Sequence, residues 1–207
     1  MHRLILLSAT YQQSSRASTA TLAGDPENQL YSRWQRKRLE GEAIRDGLLA
    51  ISGALNPQKS GPGVFPPIPE DVFKGSRGWN VSQKSEDRNR RSLYIFARRN
   101  LRFPFLEVFD APDSNLSCPE RPRSTSAPQS LTMLNADEVM AASQTTAGRL
   151  IRECATAKER VASAYRLILG RRPTDREGEL AEKFLRSASL SELCRALFNL
   201  NAFVYVD

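Results

Sequence analysis

The chain has 207 residues, of which 40% are hydrophobic and 26% charged, and it carries a formal net charge of +7. This length suits a domain with a real core, and no apolar run approaches the roughly 20 residues that span a bilayer. One histidine and three widely spaced cysteines exclude a zinc-finger pattern, a haem-attachment motif and a histidine-based nucleophile relay. Composition therefore predicts a soluble, basic, globular protein without a metal or cofactor of its own.

The first part of the chain, residues 1–57, is predicted to be helical. Leu4, Leu7 and Tyr11 follow helical spacing and predict a first helix with one buried stripe. Their apolar run is shorter than the roughly 7–15 residues of an export signal, so no signal peptide is predicted. After the turn AGDPEN, residues 30–55 predict a second helix that Gly53 helps to end.

The middle part, residues 58–128, is predicted to be a loop-and-strand insert. The prolines of SGPGVFPPIPEDV lack amide hydrogens, so this stretch is predicted to be extended over the surface, with Val64, Phe65 and Ile68 as its anchors. The alternating, aromatic-rich residues 92–97 predict a strand. Trp79 is a candidate start for its partner strand.

The last part, residues 129–207, predicts a C-terminal helical bundle. A first helix is expected over residues 129–152, with a break near Asn135. A second is expected over residues 158–169, with Gly170 as its left-handed stop.

Two further helices are predicted from the capping residues at their starts. Thr174 and Glu177 form the pattern of a capping box, and Ser189 or Ser191 caps the last helix. Residues 203–206 are predicted to lie extended against the core. The fold class is therefore mainly α: a single helical domain with a small β element and long Pro-rich loops.

The stretch RNLRFPFLEVFDAPDSN places Glu107, Asp110 and Asp113 at intervals of three residues. Asp110, Asp113 and Asn115 could offer oxygen ligands to a hard cation such as calcium. The carboxylates could also serve as acid and base on a glycosidic bond. The favoured interpretation is architectural: the acids pair with neighbouring arginines, and Asp110 or Asp113 closes an Asx turn.

Two basic clusters carry the excess charge. They comprise Arg33, Arg36, Lys37 and Arg38, and then Arg88, Arg90, Arg91, Arg98, Arg99 and Arg102. Arg91, Arg98, Arg99 and Arg102 are predicted either to form internal salt bridges or to bind an anionic polymer. Aromatic residues alternate through residues 92–97, but such a strand is more often core, so nucleic acid is not expected as a partner.

Cys118 is a further catalytic candidate, because it lies in a polar loop near Arg121 and Arg123. Nearby positive charge lowers the pKa of a thiol and makes it reactive. No partner base is evident in the sequence, so a plain loop cysteine is the favoured interpretation.

Long stretches of the sequence resemble a known family. The segment RRSLYIFARRNLRFPFLEVFDAPDSNLSCPERPRSTSAPQSLTMLN closely resembles the signature of the planctomycete domain of unknown function 1553 family. LILLSATYQQSS, RKRLEGEAIRDGLLAISGAL, the SGPGVFPPIPEDV loop and LCRALFNLNAFVYVD match the same family in the same order. The resemblance covers essentially the whole chain.

This resemblance implies a setting but no chemistry. Relatives usually form the C-terminal part of large exported proteins that often carry a cytochrome-c-like haem module upstream. The family has no established activity or catalytic residues. It suggests a periplasmic or extracytoplasmic location, no cofactor in this chain, and partners among the other domains or proteins of the same exported system. Met1 falls inside the domain of the relatives, which implies an N-terminally incomplete member.

Three functions remain open at this level. The resemblance favours an accessory or interaction module, linked to redox or polysaccharide handling. The first alternative is a fragment of a glycan-acting hydrolase that uses Glu107, Asp110 and Asp113. The second is a binder of anionic polymer through the arginine clusters.

Overall fold

The structure is a computed structural model, and it describes residues 1–73 and 78–206. About half of the residues are helical. Strands β1 (Lys37–Arg38) and β2 (Tyr205–Val206) pair antiparallel, with Lys37 opposite Val206. The prediction of a mainly α fold with a small β element is therefore confirmed, although the strands lie outside residues 92–97, where a strand was expected. Of the tail predicted to be extended, only Tyr205 and Val206 are, because Phe203 and Val204 are helical.

The chain divides into two compact units. The first joins residues 1–39 to the C-terminal residues from Val204 onward, and the second is Glu40–Phe203. The division of one domain at residues 57 and 128 stays a prediction.

In the first unit, helices α1 (His2–Leu6) and α2 (Thr19–Gly24) are short. The predicted buried stripe is wrong, because Leu4, Leu7 and Tyr11 are 75%, 62% and 49% exposed. Helix α1 ends before Leu7, so these residues cannot share one helical face.

The predicted helix over residues 30–55 begins only at Gly41. Turns precede it, because the Asp25 carboxylate accepts hydrogen bonds from the amides of Gln29 and Leu30 at 2.8 and 3.1 Å. The Arg33 guanidinium donates to the carbonyls of Asp25 and Pro26, each at 2.7 Å. Side chains therefore satisfy this backbone in a non-helical conformation.

The second unit carries the larger set of helices. They are α3 (Gly41–Ser52), α4 (Glu70–Phe73), α5 (Ser85–Arg88), α6 (Pro104–Val108), α7 (Ala127–Asn135), α8 (Asp137–Glu153), α9 (Ala157–Leu169), α10 (Asp175–Phe184) and α11 (Leu190–Phe198). Helix α12 (Asn201–Val204) follows and leads into β2.

Helix α8 lies at the centre of the core, with α3 and α11 packed against it. The buried residues of these helices include Ile44, Leu48, Val139, Leu150, Leu193, Leu197 and Phe198. Helix α3 also approaches α6 closely, because a Cβ on Gly41 would lie 2.9 Å from the Phe109 Cβ. Glycine at position 41 is therefore needed for packing, although it weakens the helix.

The C-terminal bundle matches its prediction closely. The expected break near Asn135 is Ala136, which is extended between α7 and α8. Gly170 ends α9 in the left-handed conformation with φ 69°. Thr174 and Ser189 cap α10 and α11. Leu200, which follows the end of α11, is 41% exposed.

The middle of the chain differs most from its prediction. The proline-rich stretch turns at Ser60 and Gly61, which have φ 62° and 98°, and from Glu70 it belongs to α4. Residues 92–97 do not form a strand, and Ile95 makes only an isolated parallel bridge to Val64. Ser92–Tyr94 is a 3-10 turn, because the Ser92 amide donates to the Asp46 carboxylate at 2.6 Å instead of to a neighbouring strand. Trp79 does not open a strand either; it is buried and donates its indole N–H to the Pro66 carbonyl at 2.9 Å.

Candidate functional site

The arginines of the middle region act mainly as internal cross-links. Arg45 lies on the buried face of α3 and is 3% exposed. Its guanidinium donates to the carbonyls of Arg88 and Arg90 at 2.7 and 3.1 Å and to the Ser92 hydroxyl at 3.2 Å. Burial lowers the pKa of Arg45 from its usual value. Arg45 was missed at the sequence level, although its spacing from Leu48 puts it on the apolar face of a predicted helix.

Arg90 plays the same part for another loop. It is 2% exposed and donates to the carbonyls of Pro62 at 3.0 Å, of Gln58 at 3.4 Å and of Ser60. Its guanidinium also lies 3.9 Å from the centre of the Tyr94 ring, a cation–π contact. Arg90 therefore belongs to the architecture and is closed to ligands.

Three of the predicted arginines, Arg91, Arg98 and Arg102, line an open depression, here called the charged cleft, whereas Arg99 does not. Its charged lining residues are Glu40, Glu42, Asp46, Arg91, Arg98, Arg102 and Arg121, and its volume is about 540 Å³. The acids of the cleft come from the start of α3, while Arg91, Arg98 and Arg102 lie far along the chain. Only the tertiary fold brings these two sets together.

Ion pairs organise the charged cleft. One Arg121 nitrogen contacts Glu40 at 3.1 Å and Glu42 at 3.0 Å, and the hydrogen bond to Glu42 holds the pKa of Arg121 above its usual value. The Arg91 Nε lies 3.4 Å from Asp46. Arg98 and Arg99 form no ion pair within the described part of the chain.

The charged cleft is close to neutral. Four arginines and three carboxylates line it among the described residues. Arg102 additionally contacts the Glu107 carboxylate at 2.5 Å, which offsets the remaining positive charge. The cleft is thus rich in hydrogen-bond donors and acceptors without a strong net field.

An aromatic surface adjoins these charges. Phe96 lines the cleft and is 47% exposed, and Leu93 beside it is 73% exposed. One side of the Phe96 ring stacks on Phe65, with the ring centres 5.0 Å apart. The ring is therefore held in place while about half of the residue stays open to a ligand.

The three candidate acids have separate partners. Glu107 pairs with Arg102, as above. Asp110 has φ 63° and its carboxylate accepts from the Ser124 amide at 2.8 Å and the Ser124 hydroxyl at 2.9 Å. The Asp113 carboxylate accepts from the Asn115 amide at 2.9 Å, an Asx turn that lowers the pKa of Asp113. None of the three lines the charged cleft.

The metal and thiol candidates are equally engaged. The Asn115 side chain donates to Asp113 and to the Arg99 carbonyl, so it points its N–H groups, not an oxygen ligand, at these partners. No group of three or more His, Cys, Asp or Glu side chains in the described ranges is placed to hold a metal ion. Cys118 is an exposed free thiol whose sulfur donates to the Glu120 carbonyl at 3.2 Å.

A second depression, here called the apolar cavity, was not predicted. It has a volume of about 590 Å³ and lies between α3, α6, α8 and the proline-rich loop. Glu138, the second residue of α8, is its half-buried acidic side chain. No periodicity could reveal this cavity, because its walls come from separate parts of the chain.

These observations define a mainly α-helical protein that is cross-linked by buried arginines and carries a near-neutral charged cleft. Residues 1–185 match the family model of PSD1, a protein of unknown function (DUF1553). The chain therefore belongs to this family, as the sequence resemblance predicted, and its biochemical activity is unknown. No curated protein and no solved structure matches the chain. Over the ranges that the structure describes, no helix has the length and apolar character to cross a membrane.

Proposed function

We propose that this chain is a non-catalytic binding module that holds a neutral, hydroxyl-rich glycan in the charged cleft. In this proposal it serves as an accessory part of an exported multidomain system, alongside that system's other domains. Binding of this kind requires no cofactor in the chain.

The observation that carries the proposal is the pairing of carboxylates with guanidiniums beside an exposed ring. The contacts to Arg121 use one oxygen each of Glu40 and Glu42, so the second oxygens can accept hydrogen bonds from a ligand. A sugar hydroxyl both donates and accepts, so it can bridge such acids and arginines. Phe96 supplies the apolar surface against which the carbon face of a sugar ring packs.

The hydrolase alternative receives less support. A glycosidase needs two carboxylates that face the bond to be cleaved. Glu107, Asp110 and Asp113 instead contact Arg102, Ser124 and Asn115.

The anionic-polymer alternative also receives less support. A polyanion gains affinity from unneutralised lysine and arginine side chains. Arg45 and Arg90 are buried on backbone carbonyls, and Arg91, Arg102 and Arg121 face carboxylates. The net charge of +7 therefore overstates the field available to a polyanion at the cleft.

Affinity electrophoresis and calorimetry on paired neutral and sulfated glycans test the proposal. We expect neutral glycans to bind with an affinity that changes little between about 50 and 200 mM salt, whereas binding through phosphate or sulfate contacts weakens steeply over this range. Binding of sulfated glycans alone, with steep weakening by salt, would support the anionic-polymer alternative and overturn the proposal.

A matched pair of phenylalanine variants locates the site. Phe96→Ala removes the exposed ring of the cleft and should weaken glycan binding by about tenfold, which is roughly 1.4 kcal/mol. Phe184→Ala removes a 41% exposed ring on α10, away from the cleft lining, and should leave binding unchanged. Equal effects of the two variants contradict a site at the cleft. Melting curves of both variants exclude a loss of fold as the cause.

A further inference from the structure

The apolar cavity has the features of a small-molecule site. Its volume of about 590 Å³ falls within the range of roughly 300–1,000 Å³ that is usual for ligand pockets. Its walls are mostly apolar and include Leu48, Pro66, Ile68, Phe105 and Ala142. It is separate from the charged cleft, because the two share no lining residue.

The hydrogen-bond donors around the apolar cavity are largely used within the protein. Arg45 donates to the carbonyls of Arg88 and Arg90. Arg88 donates to the carbonyls of Ser82 and Gln83 at 2.6 and 3.0 Å. Thr145 donates its hydroxyl to the carbonyl one turn earlier, at 2.8 Å. Of the buried side-chain donors that line the cavity within the described ranges, only the Arg45 Nε has no partner, so a ligand finds few free donors.

Glu138, in contrast, is an acceptor whose hydrogen-bonding capacity is largely unused within the protein. Its side chain is half-buried and lines the cavity. Among the residues that the structure describes, only its own backbone amide contacts its carboxylate as a donor. Burial raises the pKa of Glu138, and the charge of Arg45 acts against this increase. A half-buried carboxylate with no other donor requires one from outside.

We infer that the apolar cavity is a binding site for a small apolar molecule that carries an ammonium group, with the ammonium paired to the Glu138 carboxylate. The walls hold the hydrocarbon part of the ligand, and the ammonium supplies the donors that the protein does not. A carboxylate ligand would meet repulsion from Glu138 and from the neighbouring Asp137. An alcohol could donate one hydrogen bond to the carboxylate, but it carries no positive charge and so lacks the ion-pair attraction of an ammonium group.

Three probes that differ in one group test this inference on the full chain. They are 4-phenylbutylamine, 4-phenylbutan-1-ol and 4-phenylbutanoate, followed by calorimetry and by NMR shifts of the protein. We expect the amine to bind about tenfold more tightly than the alcohol, in line with the strength of charge-assisted pairs, and the carboxylate to bind most weakly. Equal affinities for amine and alcohol, or no binding of the amine, would overturn the inference.

Two variants separate the charge from the cavity. Glu138→Gln keeps the size of the side chain and should reduce the affinity for the amine to that for the alcohol, while the affinity for the alcohol stays the same. Glu182→Gln, on the exposed face of α10, is the matched control and should change neither affinity. Ala142→Leu fills part of the cavity and should weaken all three probes. An unchanged affinity of Glu138→Gln for the amine contradicts the inference.

The pH dependence provides a readout that a purely structural Glu138 would not show. Affinity for the amine should fall as the pH drops through the pKa of Glu138, because the protonated carboxyl no longer attracts an ammonium group. Arg45, Arg88 and Asp137 are the other charged side chains at the cavity, and Asp137 is the other carboxylate among them. Asp137→Asn should therefore keep the pH dependence, and Glu138→Gln should abolish it. The reverse pattern would overturn the assignment of Glu138.

Discussion

The C-terminal helices and the irregular middle region satisfy their backbones in opposite ways. From α9 to α11, the amides at the helix starts are capped by residues of the same turn. In the middle region, loop carbonyls accept hydrogen bonds from arginines that lie far away in the sequence. Buried backbone groups need partners in both cases. The difference teaches that a surplus of arginine can be a device for holding loops and need not indicate an anionic partner.

The local solution is seen at three successive helices. Thr156 with Glu159, Thr174 with Glu177 and Ser189 with Glu192 form capping boxes at α9, α10 and α11. Each box joins residues three positions apart. The helix starts are thereby decided within a single turn.

The long-range solution depends on a few side chains. Arg45 reaches the Arg88 carbonyl 43 residues away, and Arg90 reaches the Pro62 carbonyl 28 residues back. Arg149 of α8 donates to the Ile51 carbonyl at the end of α3, 98 residues earlier. Loss of one such arginine should therefore affect a whole loop.

The largest effect is expected for Arg90→Met. The variant keeps an apolar side chain of similar length but leaves the carbonyls of Gln58, Ser60 and Pro62 without their donor. We expect the free energy of unfolding to fall by about 3–5 kcal/mol, which is typical for breaking a buried charged network. Urea denaturation measures this change.

Arg91→Met is the control for that variant. The Arg91 side chain is 57% exposed and faces Asp46, and exposed ion pairs contribute about 1 kcal/mol or less. If both variants lose the same stability, the proposed division between architectural and surface arginines is wrong.

Asp110→Ala should have the next largest effect. Asp110 holds the amide and hydroxyl of Ser124 and adopts φ 63°, a conformation that aspartate and asparagine tolerate better than alanine. We expect a loss of about 2 kcal/mol in thermal or urea unfolding, because hydrogen bonds to a charged group are lost. Asp110→Asn should recover part of this lost stability, because asparagine tolerates the same backbone conformation. Glycan binding should be unchanged, and a loss of binding with an intact melting curve would indicate a functional Asp110.

A smaller and pH-dependent effect is expected for Glu177→Gln. The hydrogen bonds from Arg171 lower the pKa of Glu177 from 4.5 to about 2. Glutamine can still accept from Thr174, so the variant removes mainly the charge, and we expect a loss of about 1 kcal/mol at neutral pH. A lowered folded-state pKa stabilises the protein above the unfolded value, and this stability is lost as the pH falls from 4.5 towards 2.

The stability of wild type and Glu177→Gln should therefore converge in acid. Urea denaturation at a series of pH values measures the gap. Glu179→Gln, an exposed position on the same helix, should show no such gap at any pH. A gap for Glu177→Gln that persists near pH 2 would contradict the explanation by the Arg171–Glu177 ion pair.

The smallest effect on stability is expected for chemical labelling of the exposed thiol, which changes no buried contact. Cys194 is 0% exposed, and burial raises its pKa to about 12, whereas Cys118 is exposed. Because the thiolate is the reactive form, iodoacetamide should modify Cys118 in the native protein and Cys194 only on unfolding. Mass spectrometry of the digested protein follows both sites. Early modification of Cys194 would show that α11 opens in the native state.

The sequence by itself determined the family, the mainly helical class and the helix boundaries of the C-terminal bundle. Thr174, Glu177, Gly170 and Ser189 could be identified because a cap and the helix it begins or ends lie within a few residues of each other. The break between α7 and α8 was also predicted close to its position at Ala136. Local pattern failed for residues 92–97, where Asp46 of another helix binds the backbone.

The tertiary structure alone decided what the arginines do and where ligands could bind. Arg91 and Arg102 were predicted as a set. The acids that share their cleft lie about 50 residues earlier in the chain; they are Glu40, Glu42 and Asp46. The apolar cavity and Glu138 had no sequence signal at all. A guanidinium carries several donors on a long side chain, so its partner depends on which distant backbone folding brings within reach, and no local pattern contains that information.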